Sequence, residues 1–333
     1  MLELHIELVR WYAQNKRSLP FRMNQDPYRV WISEIMAQQT QIDTLIPYYE
    51  RWMQKYPSLD DLFVAEDEEL YRLWEGLGYY SRVKNIQKAA LQIKHDFNAF
   101  FPETKTEIQS LAGIGDYTSA AIASICFNEK QAAIDGNVKR VMSRLFCWDE
   151  TSLKKDFYHQ VKLTIEEWMN NVNPGDLTQA LMELGALVCT KQAKCHLCPL
   201  NNHCQAFQNR VVEDYPKSAK QLVKKSEQID VLLLINDQNQ FALTTHHTDT
   251  LMQGYYRLPT LAQCNVTDIK KDITLKHVFS HKVWEVSFHI AYTNDTHDFK
   301  WLSYAESQTL PIITLHRKWL KQKAALLQSQ DSL

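Results

Sequence analysis

The chain has 333 residues, 45% of them apolar, and a formal net charge of −2. That is enough apolar material for two or three cores, and it leaves no overall positive field to draw in nucleic acid. Seven cysteines, four of them within sixteen residues, fit a reduced compartment and a metal site better than a disulfide frame.

The opening MLELHIELVRWYAQNKR places Leu4, Leu8, Trp11 and Tyr12 on one helical stripe. Acids interrupt any apolar run, so it is expected to be neither signal peptide nor membrane span. Up to about residue 215 apolar residues recur at three and four, which predicts a many-helix region. Asp26-Pro27 is a helix start, with Asp as cap and Pro at the first position. It opens a run from Tyr28 to Ile46 that should end before Pro47. Glu34 falls mid-helix with Val30, Trp31, Ala37 and Gln38 one turn away, a setting that desolvates a carboxyl and raises its pKa. By spacing alone, an exposed Glu on an amphipathic helix fits as well. Further on, Trp74-Glu75-Gly76-Leu77-Gly78-Tyr79-Tyr80-Ser81-Arg82 is a glycine loop displaying an aromatic pair and a cation. Such aromatics either cap a core or stack on bases.

Helical runs Glu103–Ser110 and Tyr117–Phe127 flank Leu111-Ala112-Gly113-Ile114-Gly115. Two glycines in that turn let the backbone approach a ligand closely, and the amides opening the second helix face an anion with the helix dipole behind them. This is the pattern of a helix-hairpin-helix gripping a DNA phosphate, although taken alone the Gly-x-Gly turn suits an ordinary helical turn better; Asp116, beside it, would weaken such a grip if it faced the phosphate. Asp135 follows in Ile134-Asp135-Gly136-Asn137-Val138-Lys139-Arg140. Its type suits either a helix cap or a functional acid. Cys189, Cys195, Cys198 and Cys204, separated by five, two and five residues, suit a tetrahedral zinc or an iron–sulfur cluster. Between Leu181 and Lys225 seven Lys/Arg stand against three acids, a local basic excess that includes Lys191 and Lys194. Asp214–Asp230 reads as an exposed linker. After it Ile229–Ile235 and Lys282–Tyr292 are short and β-rich, and Thr314–Gln328 reads as a closing helix.

Taken together, the Gly113/Gly115 hairpin, the later Asp135, WISEIMAQQTQI around Glu34, GLGYYSR, IDGNVKRV and Cys198-Pro199-Leu200 resemble the helix-hairpin-helix superfamily of DNA glycosylases, and within it the MutY-type adenine glycosylases. The resemblance implies a mainly α catalytic region over residues 1–215, with a six-helix subdomain at about 22–130 and a cluster-bearing one formed by 1–21 and 131–215. A linker at 216–228 and an α+β Nudix-like domain at 229–328 would follow. GYYRLP and HVFSH are the short matches in that last part; no acidic Nudix box is present, so a pyrophosphatase would lack its metal ligands. A [4Fe-4S] cluster is implied on the four cysteines, although the five-residue first gap is one shorter than the family's usual spacing. Glu34 and Asp135 are implied as the catalytic acids, with Tyr117 and Asn137 beside them, and Arg22 and Glu183 as lining the adenine pocket. Phe21 stands where the family usually has Trp. Gln38, Gln39, Tyr79, Gly113, Gly115 and Lys139 are implied as DNA contacts. Phe279, Ser280 and His281 would read the base opposite the adenine, although Ser280 and His281 also suit a solvated hairpin turn.

Breaking a purine–deoxyribose bond asks for two carboxyls in different states, one protonating the leaving base and one, ionised, steadying the cationic sugar. Glu34 and Asp135 can divide that work. The expected function is excision of adenine paired with 8-oxoguanine or guanine in double-stranded DNA, by a monomeric, cytoplasmic, nucleoid-associated repair enzyme. Two other classes remain open. An endonuclease III-like glycosylase/lyase would share the fold, but its Schiff-base lysine belongs where Tyr117 stands. A non-catalytic lesion-binding protein would have no need of both acids.

Overall fold

A computed structural model describes residues 4–149, 154–217, 225–246, 252–279, 282–293 and 298–328. The chain packs into two compact units, Met1–Phe63 with Asn85–Lys220, and Val64–Lys84 with Gln221–Leu333.

The first unit is helical. Leu8 and Tyr12 of helix Leu4–Asn15 join Val138, Met142, Leu177 and Leu181 in its core. Helix Pro27–Ala37 starts as expected, with Asp26 Oδ1 accepting from Arg29 N at 3.1 Å. It does not run on to Ile46. The backbone turns left-handed at Gln39 (φ +56°), and a new helix, Ile42–Lys55, carries Pro47 inside it. A proline there loses one helical hydrogen bond, but burial of Leu45, Tyr49 and Trp52 on a single face of this helix offsets the loss, so Pro47 is not a terminator.

Helix Lys105–Ser110 opens on a capping box of Thr104 and Glu107 and leads through the glycine turn into helix Asp116–Phe127, whose small residues are buried. Helix Pro174–Leu187 comes close to two neighbours: a Cβ on Gly175 would lie 2.9 Å from Ile125 Cα, and one on Gly185 would lie 2.6 Å from Asn137 Cβ. These glycines set the spacing of helix Pro174–Leu187 against the helix that carries Tyr117 and the helix that Asp135 caps.

In the second unit, helix Asp67–Trp74 accompanies a five-stranded sheet. Its strands are β1 (Lys225–Ile235), β2 (Phe241–Leu243), β3 (Lys270–Val278), β4 (Lys282–Tyr292) and β5 (Lys300–Leu302), in the order β3-β4-β1-β2-β5. β1 and β4 run parallel and the other neighbours antiparallel. Period-two alternation sends Val231, Leu233 and Ile235 to one face, with Trp319 and Leu320 of helix Thr314–Gln322, and Leu232 and Leu234 to the other. The unit is α+β.

Three further sequence expectations change. Residues 225–230, read as linker, are strand, because each pairs in register with β4 from Lys225↔Lys282 to Asp230↔Ser287. Their exposure explains why composition alone suggested a linker. The closing helix is two helices, Thr314–Gln322 and Ala324–Gln328. Val64–Lys84, expected with the N-terminal helices, groups with Gln221–Leu333. Among the described residues no helix is long and apolar enough to cross a membrane.

Gly185→Ala should cost roughly 1–3 kcal/mol, the usual penalty for overpacking a close contact, measured by denaturant unfolding. Gly115→Ala, whose added Cβ would meet nothing within 4 Å, serves as the control and should cost much less.

Candidate active site

In the helical unit a cleft of about 1120 Å³ is lined by Phe21, Arg22, Glu34, Tyr117, Asp135 and Asn137, among others. Three elements converge there. Glu34 projects from helix Pro27–Ala37, Tyr117 from the first turn of Asp116–Phe127, and Asp135 from the start of helix Gly136–Phe146. Tyr117 OH donates to Glu34 Oε2 at 2.8 Å. Burial raises the Glu34 carboxyl to about 6, against the opposing Tyr117 hydrogen bond and with help from the Asp135 charge. Burial, again the largest cause, together with the charges of Glu34 and Asp135, holds the Tyr117 phenol well above its ordinary value, so it stays a neutral donor.

Asp135 is both helix cap and cleft residue. Its Oδ1 accepts from Val138 N at 2.7 Å and its Oδ2 from Asn137 Nδ2 at 2.8 Å. Asn137 is fixed in turn by Arg140, whose Nη2 donates to Asn137 Oδ1 at 2.8 Å and to Gly185 O at 2.9 Å. The carboxylate therefore has one orientation, set by a chain of hydrogen bonds that ends on a neighbouring helix.

Glu183 is fully buried and is not among the residues lining the cleft. It holds two that do. Arg17 donates to it through Nε and Nη2, each at 2.8 Å, and through its backbone N at 2.9 Å, and Arg22 Nη1 donates at 2.9 Å. Burial alone would raise the Glu183 carboxyl; the two arginines outweigh it and hold it to about 2.

At the hairpin, Gly113 is left-handed (φ +76°), and a Cβ there would strike Asn85 at 2.5 Å. Ala112 N donates to Gln92 Oε1 at 2.7 Å, which pins the turn, and Gly115 caps the following helix with its outer side open. Asp116 is engaged elsewhere: Lys105 Nζ donates to its Oδ1 at 2.6 Å and the Tyr158 hydroxyl to its Oδ2. Burial would raise its pKa, but these two donors lower it, and its charge is matched by Lys105. Gln38, Gln39 and Lys139 line the cleft.

In the other unit, Tyr79 is 42% exposed and left-handed (φ +47°), next to Gly78 (φ +76°). Phe279 stands edge-on to His277 and Trp284, with centroids 4.6 and 4.8 Å away, and its N donates to Lys282 O at 2.8 Å. Ser280 and His281 lie outside the described residues.

Cys189, Cys195, Cys198 and Cys204 line one small cavity with Arg144. Arg144 Nη1 donates to Cys189 Sγ at 3.5 Å and to Thr190 O at 2.6 Å, and Cys204 Sγ donates to Arg144 O at 3.4 Å. Among the described residues no three His, Cys, Asp or Glu side chains are close enough to hold one metal ion. Four thiols round a shared cavity are a donor set that suits a tetrahedral zinc or an iron–sulfur cluster.

The family model for the HhH-GPD superfamily base excision DNA repair proteins matches residues 32–170. An adenine DNA glycosylase of Buchnera aphidicola subsp. Baizongia pistaciae is 32% identical over 297 residues, covering 85% of this chain and 83% of that relative. The chain belongs to the adenine DNA glycosylase family. The relative from Mus musculus is 43% identical over 211 residues, covering 60% of this chain and 41% of its own length, so this chain spans about two fifths of the mammalian relative. Of solved structures, a thermostable thymine-DNA glycosylase superposes with a TM-score of 0.57 at 23% identity, covering 62% of this chain and 95% of that one. An endonuclease III trapped covalently on DNA gives a TM-score of 0.51 at 22% identity, covering 63% and 99%. These likenesses show the helical fold.

Sequence reasoning missed two residues in this family member. Arg140 stands in the sequence only as the end of the string after Asp135, and Arg17 only as the end of the opening helical stretch, neither with a role. The sole local signal is for Arg140, one helical turn after Asn137; Arg17 meets Glu183 across 166 residues of chain.

Because the folded Glu183 lies below its ordinary 4.5, its contribution to stability is fully present above about 4.5 and is lost as pH falls toward about 2. Glu183→Gln should therefore cost roughly 3–5 kcal/mol near pH 7, as for a buried pair with one partner removed. Denaturant unfolding across that acid range should show the gap to wild type narrowing.

Proposed function

We propose that this protein is an adenine DNA glycosylase that hydrolyses the N-glycosidic bond of adenine mispaired with 8-oxoguanine or guanine in duplex DNA. The observation that carries this reading is a carboxyl raised to about 6, Glu34, facing the same cleft as an Asp135 held by two donors. The target nucleotide first leaves the stack, a step that is easier at a mismatch. Glu34 then gives its proton to a ring nitrogen of adenine. The glycosidic C–N bond breaks with its electron pair going to the base, and the Asp135 carboxylate stabilises the cationic sugar until water adds at C1′ and gives up a proton. Asn137 and Arg140 keep Asp135 on station, and Tyr117 steadies Glu34. A phenol cannot form an imine, so the reaction is monofunctional: the DNA strand stays intact until alkali cleaves it.

The hairpin amides at Gly113–Gly115, with Lys139, hold backbone phosphate in this reading. Tyr79 inserts into the duplex beside the lesion, and Gln38 and Gln39 contact the DNA. Phe279, Ser280 and His281 of a Nudix-like unit read the opposite base; a Ser oxygen or His nitrogen can accept the N7 hydrogen that 8-oxoguanine has and guanine lacks. Cys189, Cys195, Cys198 and Cys204 would hold a [4Fe-4S] cluster, which supplies structural support to the loop bearing Lys191 and Lys194. The protein acts as a monomer, in the cytoplasm at the nucleoid.

The test is adenine release from a duplex with adenine opposite 8-oxoguanine under single-turnover conditions. Glu34→Gln should lower the rate by about 10² to 10⁴-fold, the usual loss for a positioned acid, while leaving binding to the mispair in place. In the wild type the proton donor is present below about 6, so the rate should level off there and fall toward tenfold per unit above it. A rate for Glu34→Gln close to that of the wild type would refute the assignment.

Anaerobically purified protein should contain about four irons per chain. One zinc per chain and no iron, by elemental analysis, would reverse the cluster assignment.

A further inference from the structure

Tyr79 sits in a backbone conformation that its own side chain disfavours. Gly76, Gly78 and Tyr79 all have positive φ, at +95°, +76° and +47°; a bulky residue in that region needs support from its surroundings. Part of the support is local. Arg82 Nη2 donates to Leu77 O at 3.1 Å and Gly78 O at 3.0 Å, and Trp74 Nε1 donates to Gly78 O at 3.1 Å.

The remainder comes from residues more than 170 positions later. Tyr255 is wholly buried, with its ring 5.3 Å from that of Tyr71 and 4.1 Å from that of Tyr80, and its hydroxyl donates to Tyr71 O at 2.7 Å. Its neighbour Gly254 (φ +88°) leaves no room for a side chain, since a Cβ would lie 2.5 Å from the Tyr71 ring. The Tyr80 hydroxyl is 2.9 Å from Thr314 Oγ1. Arg317 grips Glu75 with both Nε and Nη2, the latter at 2.9 Å, and also donates to Leu310 O. Glu75 precedes the glycine turn and Tyr80 follows it, so the turn is clasped at both ends, and of the two non-glycine side chains between them Leu77 is buried while Tyr79 projects to solvent.

We propose that Tyr255 and Arg317 are positioning residues: they hold the turn Glu75–Tyr80 so that Tyr79 is presented ready to enter the duplex. This rests on the reading of Tyr79 as a duplex-inserting residue. On this view the C-terminal part of the chain contributes to excision in two separable ways, by reading the opposite base and by bracing the turn. The brace acts alike whichever base stands opposite the adenine.

A double-mutant cycle on the full chain tests this, with single-turnover adenine release measured opposite 8-oxoguanine and opposite guanine. Arg317→Ala should slow release about tenfold in both duplexes, leaving their ratio unchanged, while Arg317→Lys retains part of the rate. In a Tyr79→Ala background the same Arg317→Ala change should cost less than about twofold, because the residue being positioned is gone. Tyr255→Phe, which removes only the hydrogen bond to Tyr71 O, repeats the cycle with a milder change should Arg317→Ala melt early. An equal fold-loss with and without Tyr79, or no loss at all in Arg317→Ala and Tyr255→Phe, overturns the proposal. A wild-type rate in Tyr79→Ala alone overturns the inserting role of Tyr79, and the brace with it.

Discussion

Two carboxyls face one cleft in different surroundings, and the helical unit is arranged around keeping those surroundings different. Burial raises Glu34 to about 6, whereas Asp135 is tied to the amide of Val138 and the amide side chain of Asn137. Two acids in like surroundings would compete for a single proton and share both roles badly. Placing one in the middle of a helix and the other at the start of a helix separates them. Mid-helix, the carboxyl meets neighbouring side chains one turn away; at the cap, it meets backbone N–H groups that have no partner inside the helix.

That separation needs precise helix spacing, and the polar connections supply it. Arg140 links Asn137 to Gly185 O and Cys189 O, so the start of one helix is fastened to the end of another and to the segment that leads into the cysteine cavity. Glu183, on that same helix, fastens Arg17 and Arg22. One helix, Pro174–Leu187, therefore fixes the orientation of Asp135 on one side and of two cationic cleft residues on the other. Arg144 makes a third connection, bonding Cys189 Sγ and the carbonyls of Thr190 and Lys191, so the geometry of the cysteine loop is tied to the helix that begins at Asp135.

The acids were expected in the site through the strings around them, WISEIMAQQTQI and IDGNVKRV, which resemble the family's; spacing alone left Glu34 an exposed helix residue and Asp135 a helix cap. For Asp135 the bland reading as a helix cap and the functional one turned out to be compatible, since capping is what orients the carboxylate. Arg17 was invisible because nothing within a helical turn of it indicates Glu183, and a contact between distant residues leaves no local period. Glu183 was expected in the pocket wall and sits behind it; a buried Glu and a lining Glu look alike in sequence. Pro47 misled for a related reason. Its penalty is local and readable, while the burial of Tyr49 and Trp52 that offsets it depends on tertiary packing. Residues 225–230 failed as a linker because strand pairing does not require burial: they are paired along β4 although five of the six are exposed.

The least legible feature was the placement of Val64–Lys84. By chain order and by helical pattern these residues belong with the N-terminal helices, and tertiary contacts reveal their association with the C-terminal residues, among them buried tyrosine packing, the Tyr80–Thr314 hydrogen bond and the Glu75–Arg317 ion pair. A segment drawn from one part of the chain into the packing of another changes what a domain boundary means here. Cutting the chain after the helical region would strip the cover from Tyr71, Tyr80 and Glu75 as well as removing the sheet. A loss of selectivity on truncation then has two candidate causes, removal of the proposed base reader and loosening of the Tyr79 turn. Substitutions at single positions separate the two causes, because Arg317 touches the turn through Glu75 and is on a different element from Phe279.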